Sequence, residues 1–135
     1  MLRTRFSTQP SETRAGTFLR AGDEALLARV VAELRRLEGE DGTWWRYGEA
    51  SRLILLGQGD DPARLSQART LVEEIVRQRP TWSRGALLEA YLRERSGEPS
   101  GAADAYLRAF QHGERQAGVV ERLAHLLAEQ NRLAE

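Results

Sequence analysis

The sequence predicts an all-helical protein built from antiparallel helix pairs, and three observations carry that prediction. First, one spacing occurs twice, 34 residues apart: Ala68, Val72, Ile75 and then Pro80, followed by Ala102, Tyr106 and Ala109 with Gly97 five residues ahead. A small residue, a larger one four later and a compact one three after that share one helix face. A period of 34 is that of a two-helix unit that must stack on a neighbour to bury its apolar side. Second, apolar residues recur at helical spacing from Leu27 to Leu127, and no stretch alternates as a strand would. Third, Gly39, Gly42, Pro62, Pro80, Gly97, Pro99 and Gly113 fall between these stretches, where helices start and stop.

Taken in order, residues 1–22 stand apart from the rest. Arg3, Arg5, Arg14 and Arg20 face one acidic residue, Glu12, among Ser, Thr, Gln and Pro, which reads as a disordered basic arm. An Arg-rich, acid-poor start also describes an organelle transit peptide, but Pro10 and scattered apolar residues form no clear amphipathic helix. Asp23 is placed as an N-cap, and Leu27, Val30, Val31, Leu34 and Leu37 then follow helical spacing to Glu38. A second helix is expected over about 43–56, with Trp44, Tyr47, Gly48, Ser51 and Leu55 along one stripe. Gly57-Gln58-Gly59-Asp60 is a loop, Asp61 a cap, and Pro62 suits a first helical turn. The third helix runs to Arg79 and is stopped by Pro80. A fourth, from about Trp82 to Ser96, ends at Gly97. The fifth opens at Pro99 and ends near Gly113. The sixth holds Val119, Val120, Leu123, Ala124, Leu126 and Leu127, and Leu133-Ala134-Glu135 would begin a seventh after the turn Gln130-Asn131-Arg132.

Composition narrows the class. At 135 residues, 41% hydrophobic and 30% charged, the chain has the make-up of one soluble domain. Twenty basic and twenty acidic side chains balance, so no global field draws in DNA or an anionic membrane surface. Every basic residue is arginine; without clustering, this reads as codon usage in a GC-rich genome. The lack of cysteine excludes disulfides, thiolate metal sites and a cysteine nucleophile, and it fits a reducing, cytoplasmic compartment. No apolar run approaches the ~18 residues of a membrane span, and no apolar core near the start makes a secretory signal.

The pattern resembles the tetratricopeptide repeat (TPR), whose first helix carries a Trp-x2-Leu-Gly-x2-Tyr stripe and whose second carries Ala-x3-Phe-x2-Ala and closes with Pro. Trp44, Tyr47 and Gly48 match the opening stripe, with Ser51 where an aromatic is usual; Ala68, Val72, Ile75 and Pro80 complete that copy after a longer inter-helix loop. Ala90, Gly97, Ala102, Tyr106 and Ala109 match a second copy, whose first helix has Ala86 for Trp and Glu89 for Leu. Val120, Leu123, Ala124 and Leu127 fit the first helix of a third. Residues 28–34 echo residues 68–75, so the first helix looks like the second half of an earlier unit. The resemblance implies a TPR-like α-solenoid of about six helices: a partial unit at 23–42, repeats at 43–80 and 81–114, and a partial repeat at 115–135. Alanines at the crossings let helix axes approach to about 8–10 Å, while Tyr106 and Trp44 fill the spaces between.

The resemblance also implies a function. TPR arrays hold a peptide or partner helix in a concave groove lined by the first helix of each unit. Carried onto this chain, the groove positions are Trp45, Arg46, Glu49 and Arg52, then Arg84, Leu87, Tyr91 and Arg95, then Glu121, Arg122 and His125. Arg, Trp and Tyr are the residues that dominate binding hot spots, although Trp45 also suits the core beside Trp44. A non-enzymatic scaffold for a protein or peptide partner is therefore expected. The Lys/Asn clamp of TPRs that grip a chaperone's C-terminal carboxylate is missing, since Trp45, Glu49, Leu87 and Tyr91 hold those places.

Catalysis and cofactors find little support. His112 and His125 have no His or Cys at ligand spacing, and His112 suits the negative end of a helix dipole. Gly57-Gln58-Gly59 lacks the strand and the Gly-Lys-Ser/Thr of a phosphate cradle. Glu73-Glu74 and Glu38-Gly39-Glu40-Asp41 read as solvated surface, without calcium-loop spacing. The alternative is a helical-repeat regulator that meets nucleic acid through its Arg-rich arm. The helical part is then net acidic by three, the wrong sign for a groove that tracks phosphates. Leu123, Leu126, Leu127 and Leu133 are expected to form an uncovered apolar face, by which the chain pairs with itself or continues a longer array. Large bacterial proteins of similar pattern carry many such repeats.

Overall fold

A computed structural model describes residues 21–56 and 61–132, with side chains from residue 24 onward. Among the described residues it is all-helical, with six helices and no strand: α1 (Ala21–Glu38), α2 (Thr43–Leu55), α3 (Pro62–Gln78), α4 (Ser83–Arg95), α5 (Pro99–Gln111) and α6 (Ala117–Glu129). Residues 1–20 of the expected arm, the Gly57–Asp60 loop and the expected seventh helix lie outside the described residues, whereas Ala21 and Gly22 already belong to α1. Asp23 falls within α1 rather than at its cap.

Local chemistry explains the boundaries. Asp61 Oδ1 accepts from the Ala63 amide at 3.0 Å and Pro62 opens α3, so that helix starts on a side-chain cap and a preset φ. α2 takes its cap from outside: Glu38 accepts from the Trp45 amide at 2.9 Å and from the Trp44 amide at 3.3 Å. α4, α5 and α6 all finish in the same hydrogen-bond pattern. In α4 the Glu98 amide reaches Arg93 O at 2.8 Å and the Gly97 amide reaches Glu94 O at 3.1 Å. That closure needs a left-handed residue, and Gly97 supplies it at φ 73°. α6 closes likewise on Asn131, at φ 57°.

Sequential helices pack as antiparallel neighbours. Thr43 Oγ1 meets Gln78 Oε1 at 3.2 Å across α2 and α3, Arg108 donates to Glu89 at 2.7 Å across α5 and α4, and Gln130 donates to Pro99 O at 2.9 Å across α6 and α5. α2 and α4 run side by side, Tyr47 and Trp82 being in ring contact at 5.4 Å.

Two buried clusters hold the stack. Ala50, Leu53 and Ile54 of α2, Ala68, Val72 and Ile75 of α3, and Leu88 and Leu92 of α4 form the first. Ala86, Leu87 and Ala90 of α4, five residues of α5 that include Ala102, Tyr106 and Ala109, and four of α6 form the second. Both copies of the 34-residue triplet are fully inside. α4 contributes to both clusters, which is why its apolar residues run nearly all the way round it.

Two expectations about helix rotation are corrected. On α2 the buried stripe is Trp45, Gly48, Ala50, Leu53 and Ile54, while Trp44 is 48% exposed and fills no interior space. The cause is α1, which approaches so closely that a Cβ on Gly48 would lie 2.8 Å from Val31 Cγ2. On α6, Leu123, Leu126 and Leu127 are buried against α5 and α4, so they form no uncovered face; Val120 and Ala124 point outward instead. Leu133 lies outside the described residues.

Candidate interaction surface

The positions assigned to a groove do not share one trough. Trp45 is 6% exposed and belongs to the interior: its indole N–H donates to Glu40 O at 3.1 Å, and the Arg35 and Arg46 guanidiniums stack over its ring at 4.3 and 5.3 Å. Arg46 is thus committed to packing, and its Nη1 donates to Gly42 O at 3.4 Å. Glu49 and Arg52 face α1. Arg52 donates to Glu49 at 2.6 Å and to Glu24 at 2.9 Å, and Arg64 reaches the same Glu24 from α3 at 3.3 Å. The Glu49 bond above all holds the Arg52 pKa up. Leu87, 8% exposed, is core. In each case an immediate neighbour, α1 or α5, covers a face that a groove would leave open.

The remaining positions lie on or near solvent. Arg84 is exposed in the first turn of α4, and Arg95 stands at that helix's far end. Tyr91 is half-buried between the two clusters, its ring edge-on to Tyr106 at 6.1 Å. Burial first, then the Glu114 carboxylate, push its phenol pKa up. Glu121, Arg122 and His125 are brought together. With Gly118 they line a shallow, open depression of about 390 Å³ on α6. Arg122 is anchored there by donating Nε to Glu94 Oε2 at 2.6 Å, and Glu94 Oε1 accepts from the buried Tyr106 hydroxyl at 2.5 Å. One carboxylate therefore ties α4, α5 and α6 together. His125 Nε2 lies 3.0 Å from Glu129.

An aromatic cluster went unassigned in the sequence. Trp44 and Tyr47 of α2 meet Trp82, which precedes α4, with Trp44–Trp82 centroids 5.3 Å apart at 80° and Trp44–Tyr47 centroids 6.2 Å apart at 74°. Arg79 lies over the Trp82 ring at 4.6 Å. Edge-to-face pairs add about 0.5–1.5 kcal/mol beyond burial. The cluster therefore stiffens the α2–α4 seam while leaving Trp44 open to a partner. Trp44 and Trp82 are 38 residues apart, four out of step with the period of 34. The available signal was a tryptophan at the expected start of the fourth helix with no packing partner assigned to it.

Among the described residues no three His, Cys, Asp or Glu side chains group as a metal site, and no helix is long and apolar enough to cross a membrane. No family model, curated protein or solved structure matches this chain.

Proposed function

We propose that this chain is a TPR-like helical-repeat scaffold of the cytoplasm, without catalytic chemistry of its own, that binds a protein or peptide partner across α2, α4 and α6. The observation that carries the reading is the paired triplet: Ala68, Val72 and Ile75 are 0, 2 and 0% exposed, and Ala102, Tyr106 and Ala109 are 0, 2 and 0% exposed. Equal burial 34 residues apart supports a stacked unit repeated along the chain. The surface that such stacking offers a partner runs from the Trp44–Tyr47–Trp82 cluster past Tyr91 to Arg122 and His125. Trp44 is its anchor, because a large exposed indole held rigidly loses little entropy on docking.

The arginines of the helices support a protein partner over nucleic acid. Arg35, Arg52, Arg69, Arg93, Arg108 and Arg122 are each paired with a carboxylate, which leaves them poorly placed to replace counterions on phosphates. The test is capture of a partner from the source cell on the full chain, then affinity measurement with Trp44→Ala and Arg122→Ala. A loss of tenfold or more for Trp44→Ala, with unchanged circular dichroism and a shallow salt dependence, is the expected result. Equal affinity for wild type and both variants removes this surface, and a steep salt dependence favours the nucleic-acid alternative.

A further inference from the structure

We propose that the partner surface takes a basic segment: one lysine or arginine side chain of the partner enters between Tyr91 and Glu114, and a second meets Glu121 on α6. This rests on the reading of α2, α4 and α6 as the partner-binding side and names the chemistry that side selects. Glu114 carries the inference. It lies in the turn between α5 and α6 and is 8% exposed, the one charged side chain in the interior among the described residues. Its Oε2 accepts from the Gln116 amide at 3.1 Å, where α6 begins. Its Oε1 keeps no hydrogen bond among the described residues and is open to solvent. Arg115, its neighbour in sequence, makes no ion pair with it. That guanidinium donates to Phe110 O at 2.5 Å and to Glu114 O at 2.8 Å, and lies over the Phe110 ring at 4.0 Å. A carboxylate so deeply buried is costly without a cation, and an incoming ammonium or guanidinium supplies one.

The surroundings suit a cation on a long aliphatic stem. After burial, the groups that raise the Tyr91 phenol pKa are Glu114, Tyr47 and Glu94, so two rings and two carboxylates stand around one point. Aromatic faces attract an ammonium or guanidinium and pack against its methylenes. Both Glu94 oxygens are committed, one to the Tyr106 hydroxyl and one to Arg122. Glu121 has no ion pair among the described residues and shares the α6 depression with Gly118, Arg122 and His125. Even with Arg115 counted beside Arg122, three carboxylates face two guanidiniums, leaving a negative surplus. Arg84 on α4 is seven residues from Tyr91, about 10 Å along the axis, beyond a Debye length of about 8 Å. Glu114 and Glu121 are also seven residues apart, on the order of 10 Å, which an extended peptide covers with basic residues three apart at about 3.3 Å each.

Full-length ¹⁵N-labelled protein titrated with the capped peptide Gly-Ala-Lys-Ala-Ala-Lys-Ala-Gly tests this. Saturable shifts at the Tyr91, Gln116, Gly118 and Glu121 amides are expected, with the norleucine and glutamate counterparts of the peptide each at least tenfold weaker. Glu114→Gln, whose amide oxygen can still accept from the Gln116 amide, should weaken the lysine peptide about tenfold. Glu121→Gln, on the exposed face, should weaken it about threefold without touching the fold. Equal binding of the lysine and norleucine peptides at these amides overturns the cationic preference and leaves the partner surface standing. No saturable shift with any peptide, or lysine binding unchanged by both variants, overturns the proposal, whereas the broader surface is judged separately by Trp44→Ala and the captured partner. Shifts at the same amides on replacing Arg14 and Arg20 with Gln, with no peptide present, would assign the site to the chain's own residues 1–20 and overturn an external occupant.

Discussion

The two buried clusters solve one packing problem in opposite ways. The first fills the space among α2, α3 and α4 with branched side chains, Leu53, Ile54, Val72, Ile75, Leu88 and Leu92. The second is half alanine, at 86, 90, 102, 103, 105 and 109; α5 buries only alanine and Tyr106 there, and the branched side chains come from Leu87 and α6. Branched residues keep helices apart and fill the gap, whereas alanines let backbones approach and leave no gap to fill. The first region should therefore be sensitive to truncation and the second to enlargement.

The largest effect should come from opening a cavity in the first cluster. Ile75→Ala is expected to cost about 2–5 kcal/mol, since a fully buried branched chain is lost and its neighbours relax only in part. Denaturant melts measure it; a cost below that of Ala102→Leu would erase the contrast. Ala102→Leu should cost about 1–3 kcal/mol by overpacking, whereas the same change at exposed Ala124 should stay within about 0.5 kcal/mol. A thermal melt unchanged by Ala102→Leu would count against close approach of α4 and α5.

Gly48→Ala probes the seam between α1 and α2. The added methyl would lie 2.8 Å from Val31 Cγ2, so the helices must separate slightly, at a cost of about 1–3 kcal/mol. Val31→Ala should restore part of that loss, and a double-mutant cycle with no coupling would place the strain elsewhere.

The smallest effect is electrostatic. Burial, and then its bond to Glu94, raise the Tyr106 phenol above the ordinary value of 10.0. The folded state thus holds that proton more tightly than the unfolded chain. The resulting stability is fully present below pH 10 and is lost as the pH climbs through the folded pKa. Tyr106→Phe should cost about 1 kcal/mol at neutral pH and flatten the alkaline decline in melts. A decline unchanged by this substitution would assign it to other groups, Tyr91 first.

Helix content, helix ends and the buried triplets were legible in the residue pattern. Each depends on short-range chemistry: Asp61 and Pro62 start α3, Gly97 permits the left-handed exit from α4, and four-then-three spacing keeps Ala102, Tyr106 and Ala109 on one face. Contacts between distant segments settled the rest. Trp44 and Trp45 are adjacent, and which of them turns inward was decided by α1 reaching Gly48, a choice no local pattern contains. The arginines were equally open, because Arg69 finds Glu98 and Arg122 finds Glu94 across 29 and 28 residues of chain. Helical periodicity orders residues along a rod, but the rotation of that rod and the partners of its long charged side chains follow from its neighbours.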